Sequence, residues 1–119
     1  MKILVFAVSM LLCASAPAAE LAGPDLRAAL IGQTIQWWED GGWHAGNLSL
    51  LPDGRAEITI ESPRPQRDAG RWSISGNRLC TAWSSLRGRE TKCYSLERAG
   101  PDRFVTSGGN VFVIISAGV

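Results

Sequence analysis

The chain has 119 residues, of which 45% are hydrophobic and 19% charged, with a net charge of +1. That near-balance excludes the basic excess expected of a nucleic-acid-binding protein. The longest apolar run, of about ten residues, is too short for a membrane helix, which needs about 20.

The first segment reads as an export signal. Lys2 supplies a positive start, Ile3 to Leu12 an apolar stretch, and Ala16-Pro17-Ala18 small residues at a cleavage site. Residues 1–18 are therefore expected to be removed, leaving residues 19–119 as one β-rich domain in the periplasm or outside the cell. Lipid anchoring at Cys13 is a minor alternative, because the bulky Leu12 precedes it. After cleavage two cysteines remain, Cys80 and Cys93, and in an oxidising compartment they are expected to form a disulfide. Closing a loop of ~14 residues is worth about 3 kcal/mol in the chain-entropy model.

The segment Gly23–Gly32 predicts one short helix, started by Pro24 or Asp25 and ended by Gly32 in the left-handed conformation. Leu26, Leu30 and Ile31 must pack on the rest of the domain, because about two turns are marginal alone. From Gln33 onward the apolar period changes. Short runs rich in β-branched and aromatic residues are broken by Gly, Asp, Asn or Pro every 8–12 residues or so, which predicts an antiparallel meander.

About eight strands are expected: Gln33–Glu39, Trp43–Leu51, Arg55–Glu61, Ala69–Ser75, Arg78–Ser84, Lys92–Arg98, Arg103–Ser107 and Val111–Ala117. The loop Ser62–Asp68 is broken by Pro63 and Pro65. Ala56, Ile58 and Ile60 face one way and Glu57, Thr59 and Glu61 the other. Pairing Arg78–Ser84 with Lys92–Arg98 sets Cys80 opposite Cys93 and Leu79 opposite Tyr94, with Trp83 and Leu96 on the same core face. The last strand is apolar on both faces, so it should lie between other elements or under the helix. The expected fold is thus mainly β: a small barrel or strongly curved sheet with one N-terminal helix capping it.

Charge is unevenly placed. Residues 19–62 carry seven acids against Arg27 and Arg55, while residues 63–119 carry eight arginines and Lys92 against four acids. Two arrangements follow: the halves pack and pair their charges, or the second half presents a basic face to an acidic partner.

Catalytic signals are absent from the pattern. His44 is the single histidine, and no serine sits in a nucleophile-elbow motif. One histidine and an oxidised cysteine pair do not make a usual zinc set, and Asp40 and Asp53 belong to glycine turns. Glu57 and Glu61 lie roughly 13 Å apart along a strand at 3.3 Å per residue. That is beyond the ~9.5 Å limit for a carboxylate pair cleaving glycosides. No catalytic residue, metal ligand or cofactor is assigned.

The tryptophans carry more information. If Ile35 and Trp37 face the core, Trp38 faces out, where either a helix or loop covers it or it forms an aromatic platform. Trp72 and Trp83 read as core. Trp38, Trp43 and His44, with Arg64 and Arg67 after the proline loop, make the candidate ligand or partner surface. Arg71, Arg87, Arg89 and Lys92 extend the cationic side. The candidate partner is an envelope protein or a glycan.

Three stretches follow a recurring order: Leu30-Ile31-Gly32-Gln33-Thr34; Pro52-Asp53-Gly54; and Gly70-Arg71-Trp72-Ser73-Ile74-Ser75-Gly76-Asn77-Arg78-Leu79-Cys80-Thr81-Ala82-Trp83. Lys92-Cys93-Tyr94 completes it. The chain resembles a group of small exported bacterial proteins of unassigned function that share L-x-G-x-T, a D-G turn, G-x-W-x-I-x-G-x-x-L-C-x-x-W and a second cysteine. The resemblance implies a fold and a compartment, and it carries no catalytic residue. In size, export, one disulfide and the stretch Ala19–Gly23 the chain also resembles exported β-barrel inhibitors of secreted proteases. The expected function is a non-enzymatic binding or envelope accessory module, with inhibition of an exported hydrolase as the alternative.

Overall fold

The structure, a computed structural model, describes residues 19–115. The expected signal segment and the Cys13 alternative lie outside the described residues.

One helix, α1 (Gly23–Leu30), precedes nine strands. The first five are β1 (Thr34–Glu39), β2 (Ala45–Leu50), β3 (Arg55–Ser62), β4 (Gln66–Ser75) and β5 (Arg78–Trp83). A short 3-10 turn at Leu86–Arg89 separates them from β6 (Lys92–Tyr94), β7 (Leu96–Gly100), β8 (Arg103–Thr106) and β9 (Asn110–Ile115). All pairings are antiparallel, in the order β6-β5-β4-β3-β2-β1-β9-β8-β7.

The two outer strands of this sheet are consecutive in the chain, joined through Ser95. One extended segment therefore pairs with β5 through its first half and with β8 through its second, and the sheet curls into a nearly closed barrel. Ser95 is held at the switch by Ser107, whose amide donates to the Ser95 carbonyl (2.9 Å) and whose Oγ accepts from the Ser95 amide (3.1 Å). Upstream of α1, Glu20 bridges to Glu97 and the Leu21 amide donates to the Leu96 carbonyl (2.8 Å). The chain thus shields an edge that would otherwise be a template for foreign strands.

Alternation explains the interior. Ile35 and Trp37, Leu48 and Leu50, Ala56 and Ile60, Leu79 and Trp83, and Phe104 and Phe112 all point inward. Leu26 and Leu30 of α1 are completely buried and plug one end of the barrel. Turns provide the helix with its seat. The Gly23 amide donates to Asn77 Oδ1 in the Gly76-Asn77 turn (3.0 Å), and the backbones approach so closely that a side chain at Gly23 would collide with the Gly76 carbonyl. Trp72 Nε1 donates to the Leu51 carbonyl (2.7 Å), and the Arg27 guanidinium lies 5.3 Å from the centre of its ring. Gly32 adopts φ +79° as expected, and its amide donates to the Leu50 carbonyl, leading the chain into β1.

The expected cysteine register is observed: Leu79 pairs with Tyr94 and Cys80 with Cys93, and the two cysteines are bonded. Several boundaries differ. The expected strand Lys92–Arg98 divides at Ser95 and continues to Gly100, which gives nine strands instead of eight. β4 starts at Gln66, so the proline loop shrinks to residues 63–65. β2 starts at Ala45, because Trp43 and His44 stay in the hairpin loop. β9 lies between β1 and β8 in the sheet; Phe112 faces the interior and Val111 is buried beside Trp38, while Ile115 is 41% exposed.

The expected pairing of an acidic first half with a basic second half is not made by ion pairs. Those among the described residues, His44–Glu39 (2.8 Å) and Arg55–Asp53 (2.6 Å), are both local to the first half. The halves meet instead through cations over rings: Arg27 on Trp72, and Arg103 on Trp38.

Candidate functional site at the open end

The meander sends alternate connections to opposite ends. The helix, the β2–β3 turn and the Gly76-Asn77 turn occupy one end; residues 40–44, 63–65, 84–91 and 107–109 form the rim of the other. Register fixes their order around the rim. Ala45 pairs with Ser62, so the loops carrying Trp43 and Arg64 leave the sheet side by side. The Asp40 amide donates to the Gly109 carbonyl (2.9 Å), tying the first loop to the last.

Trp43 is 82% exposed. Its loop is nevertheless well held. The Glu39 amide donates to the His44 carbonyl (3.0 Å), the Gly42 amide to the Glu39 carbonyl (3.1 Å), and His44 Nδ1 lies 2.8 Å from Glu39 Oε1. Gly42 packs against the Glu39 side chain so tightly that no larger residue fits without displacing it. The indole is thus presented to solvent on a braced loop.

Of the other expected surface residues, Trp38 is half-buried on the face of β1 opposite Trp37. The Arg103 guanidinium lies 5.4 Å from its ring centre, and its strand partner is the buried Val111. Trp38 is therefore part of the wall. Arg64 is exposed in the rim. Arg67 pairs with Thr59 on the outer wall, where an open groove of about 500 Å³ runs along Asn47, Glu61, Pro65 and Arg67. Asn47 Nδ2 donates to Glu61 Oε1 there (3.1 Å). The structure unites Trp43, His44 and Arg64 at the rim, sets Arg67 just below it, and separates Trp38. Glu57 and Glu61 are exposed on the outer face. Among the described residues no cluster of three or more His, Cys, Asp or Glu side chains is placed to hold a metal ion.

Inside the rim the barrel holds buried polar groups. A cavity of about 30 Å³ is bounded by Trp37, Thr81, Tyr94, Arg87 and Asn110, with Leu48, Ile58 and Phe112 among its apolar walls. Trp37 is 7% exposed and Thr81 1%, yet Trp37 Nε1 and Thr81 Oγ1 have no hydrogen-bond partner. An unpaired buried donor costs about 1–3 kcal/mol, so two in one cavity are a feature requiring explanation. Tyr94 packs edge-on against Phe112 across the interior, ring centres 6.2 Å apart. Burial raises the Tyr94 phenol above its usual pKa, opposed by the adjacent Thr81 hydroxyl and the Arg87 charge. Thr81 was legible as an anomaly, a hydroxyl between Leu79 and Trp83 on an apolar stripe.

Of the segment 84–90, which leads from β5 toward β6, Arg87 borders the cavity. Arg87, Gly88 and Arg89 all have positive φ (56°, 61° and 66°), a conformation that costs roughly 1–2 kcal/mol for each non-glycine residue. Asp68 pins the near side of this segment: its Oδ2 accepts from the Ser85 and Leu86 amides (2.9 Å each), and its Oδ1 from the Ala69 amide (2.8 Å). Burial raises the carboxyl pKa, but the amides of Leu86, Ser85, Ala69 and Ser84 outweigh it, and the net shift is downward.

Among the described residues no helix is long and apolar enough to cross a membrane. The Cys80–Cys93 bond fits an extracellular or periplasmic setting. No protein-family model, no curated protein and no solved structure matches this chain.

Proposed function

We propose that the chain is a non-enzymatic binding module of the periplasm or extracellular space, which engages envelope glycan through its open end. The observation that carries this reading is Trp43, an indole left in solvent by a loop braced on both sides. A solvated indole gives up the largest hydrophobic gain a side chain offers, and a flat ring in this setting suits stacking on a sugar. His44, Glu39 and Arg64 supply polar groups beside it, and Arg64 and Arg67 favour an anionic polymer. The export-signal pattern and the resemblance to small exported bacterial proteins support the compartment. The inhibitor alternative gains nothing from the structure, because Ala19–Gly23 is not a free arm: Glu20 and Leu21 lie along β7 and Gly23 opens α1.

The test is co-sedimentation of the mature protein with purified peptidoglycan sacculi. Retention that Trp43→Ala reduces at least tenfold, with the circular dichroism unchanged, supports the reading. Equal retention of the variant, or none by either form, contradicts it.

A further inference from the structure

We infer that the cavity beside Arg87 is an internal binding site for a small apolar carboxylate, separate from the Trp43 surface. Four observations converge. Trp37 Nε1 and Thr81 Oγ1 are buried, have no partner at hydrogen-bond geometry and border the same space, with the Tyr94 phenol beside Thr81. An indole N–H only donates, so whatever satisfies it must accept. Arg87, exposed, also only a donor and always charged, borders the same space, which makes an anionic acceptor the best complement. Of the remaining lining residues, Asn110 and the Tyr94 phenol are polar, while Leu48, Ile58, Trp83 and Phe112 offer hydrocarbon contact for a chain or ring attached to that acceptor.

The space now has room for about one water. A carboxylate with even a short alkyl chain requires the segment 84–90 to move, and that segment is built so that it can. Its near side is fixed by the bonds to Asp68, whereas beyond Leu86 the backbone bond formed is internal, from the Glu90 amide to the Arg87 carbonyl. The left-handed turn Arg87–Arg89 stores strain that an outward swing releases. Arg87 then follows the ligand while Asp68 holds the hinge.

The experiment is a titration of the mature, disulfide-intact protein with straight-chain alkanoates of four to ten carbons. It is followed by tryptophan fluorescence, since Trp37 and Trp83 border the cavity, and by calorimetry. Saturable binding is expected, at least tenfold tighter than that of the alkanol of equal length. Thr81→Val should weaken it at least fivefold, as should Arg87→Gln, which changes only an exposed side chain and leaves the folded core intact. Trp43→Ala should leave it unchanged, so this site and the rim surface succeed or fail separately. No saturable binding by any alkanoate at millimolar concentration overturns the inference. So does equal affinity for alkanoate and alkanol, or binding that survives both cavity variants with folding verified.

Discussion

Thr81 shows how a single side chain can mark a site. It sits on the inward stripe between Leu79 and Trp83 with its hydroxyl unpaired, where valine fits the space and requires no partner. Thr81→Val is expected to stabilise the unliganded protein by about 1 kcal/mol, the cost of an unsatisfied hydroxyl. At this domain size that corresponds to a Tm rise of roughly 4–8 °C in a melting experiment. Asp68 is the opposite case, a carboxylate satisfied by the amides of Ser85 and Leu86. Its pKa in the folded protein lies below the unfolded value of about 3.9. Its contribution is therefore complete above that value and fades as pH falls through the lower, folded one. Asp68→Asn should cost about 1–2 kcal/mol at neutral pH, the lower part of the range for charged hydrogen bonds because solvent reaches the group. In urea titrations the gap from the parent should close below about pH 4. The outward direction of Trp38 was readable from alternation, but its cover was not, because Arg103 arrives from β8, far along the chain. Trp43 was readable as a candidate surface residue but was placed in β2; its position in the hairpin loop follows from β2 starting at Ala45.

Elements were legible where two local signals agreed. Glycine turns bounded the strands, and alternation gave each a face, so the Cys80–Cys93 register followed from residues in one hairpin. The division at Ser95 was not legible, because a strand's change of partner is set by closure of the whole sheet and not by its own residues. Close strand approach is a similar tertiary effect. At Gly46 and Gly70 a side chain would strike the carbonyl of the adjacent strand, Thr59 or Ala82, and Gly46 also lies at a register shift between β2 and β3. Gly46→Ala or Gly70→Ala should destabilise by about 1–3 kcal/mol, the cost of overpacking, measured by chemical denaturation. Replacing both cysteines by serine should remove about 3 kcal/mol by loss of the cross-link, and should leave the far-UV spectrum of the folded protein intact.

At the scale of the whole molecule the barrel has two unlike ends. One is sealed by the buried Leu26 and Leu30 of α1. The other combines an exposed indole, arginine-bearing loops and a donor-lined cavity beside a strained loop. The meander places these features together although they are distant in sequence. The arginines are free for this role because the expected cross-half ion pairs do not form among the described residues. Trp43 makes little contact with the protein, so Trp43→Ala should change stability by less than about 0.5 kcal/mol while removing binding.

The most direct measurement is an amide and indole NMR titration of isotopically labelled protein with soluble peptidoglycan fragments. The account predicts shifts at the Trp43 indole and in residues 40–44 and 63–67, with α1 and the Gly76-Asn77 turn unmoved. Shifts confined to the helix end, or none at millimolar ligand, would contradict the assignment of the open end as the working surface.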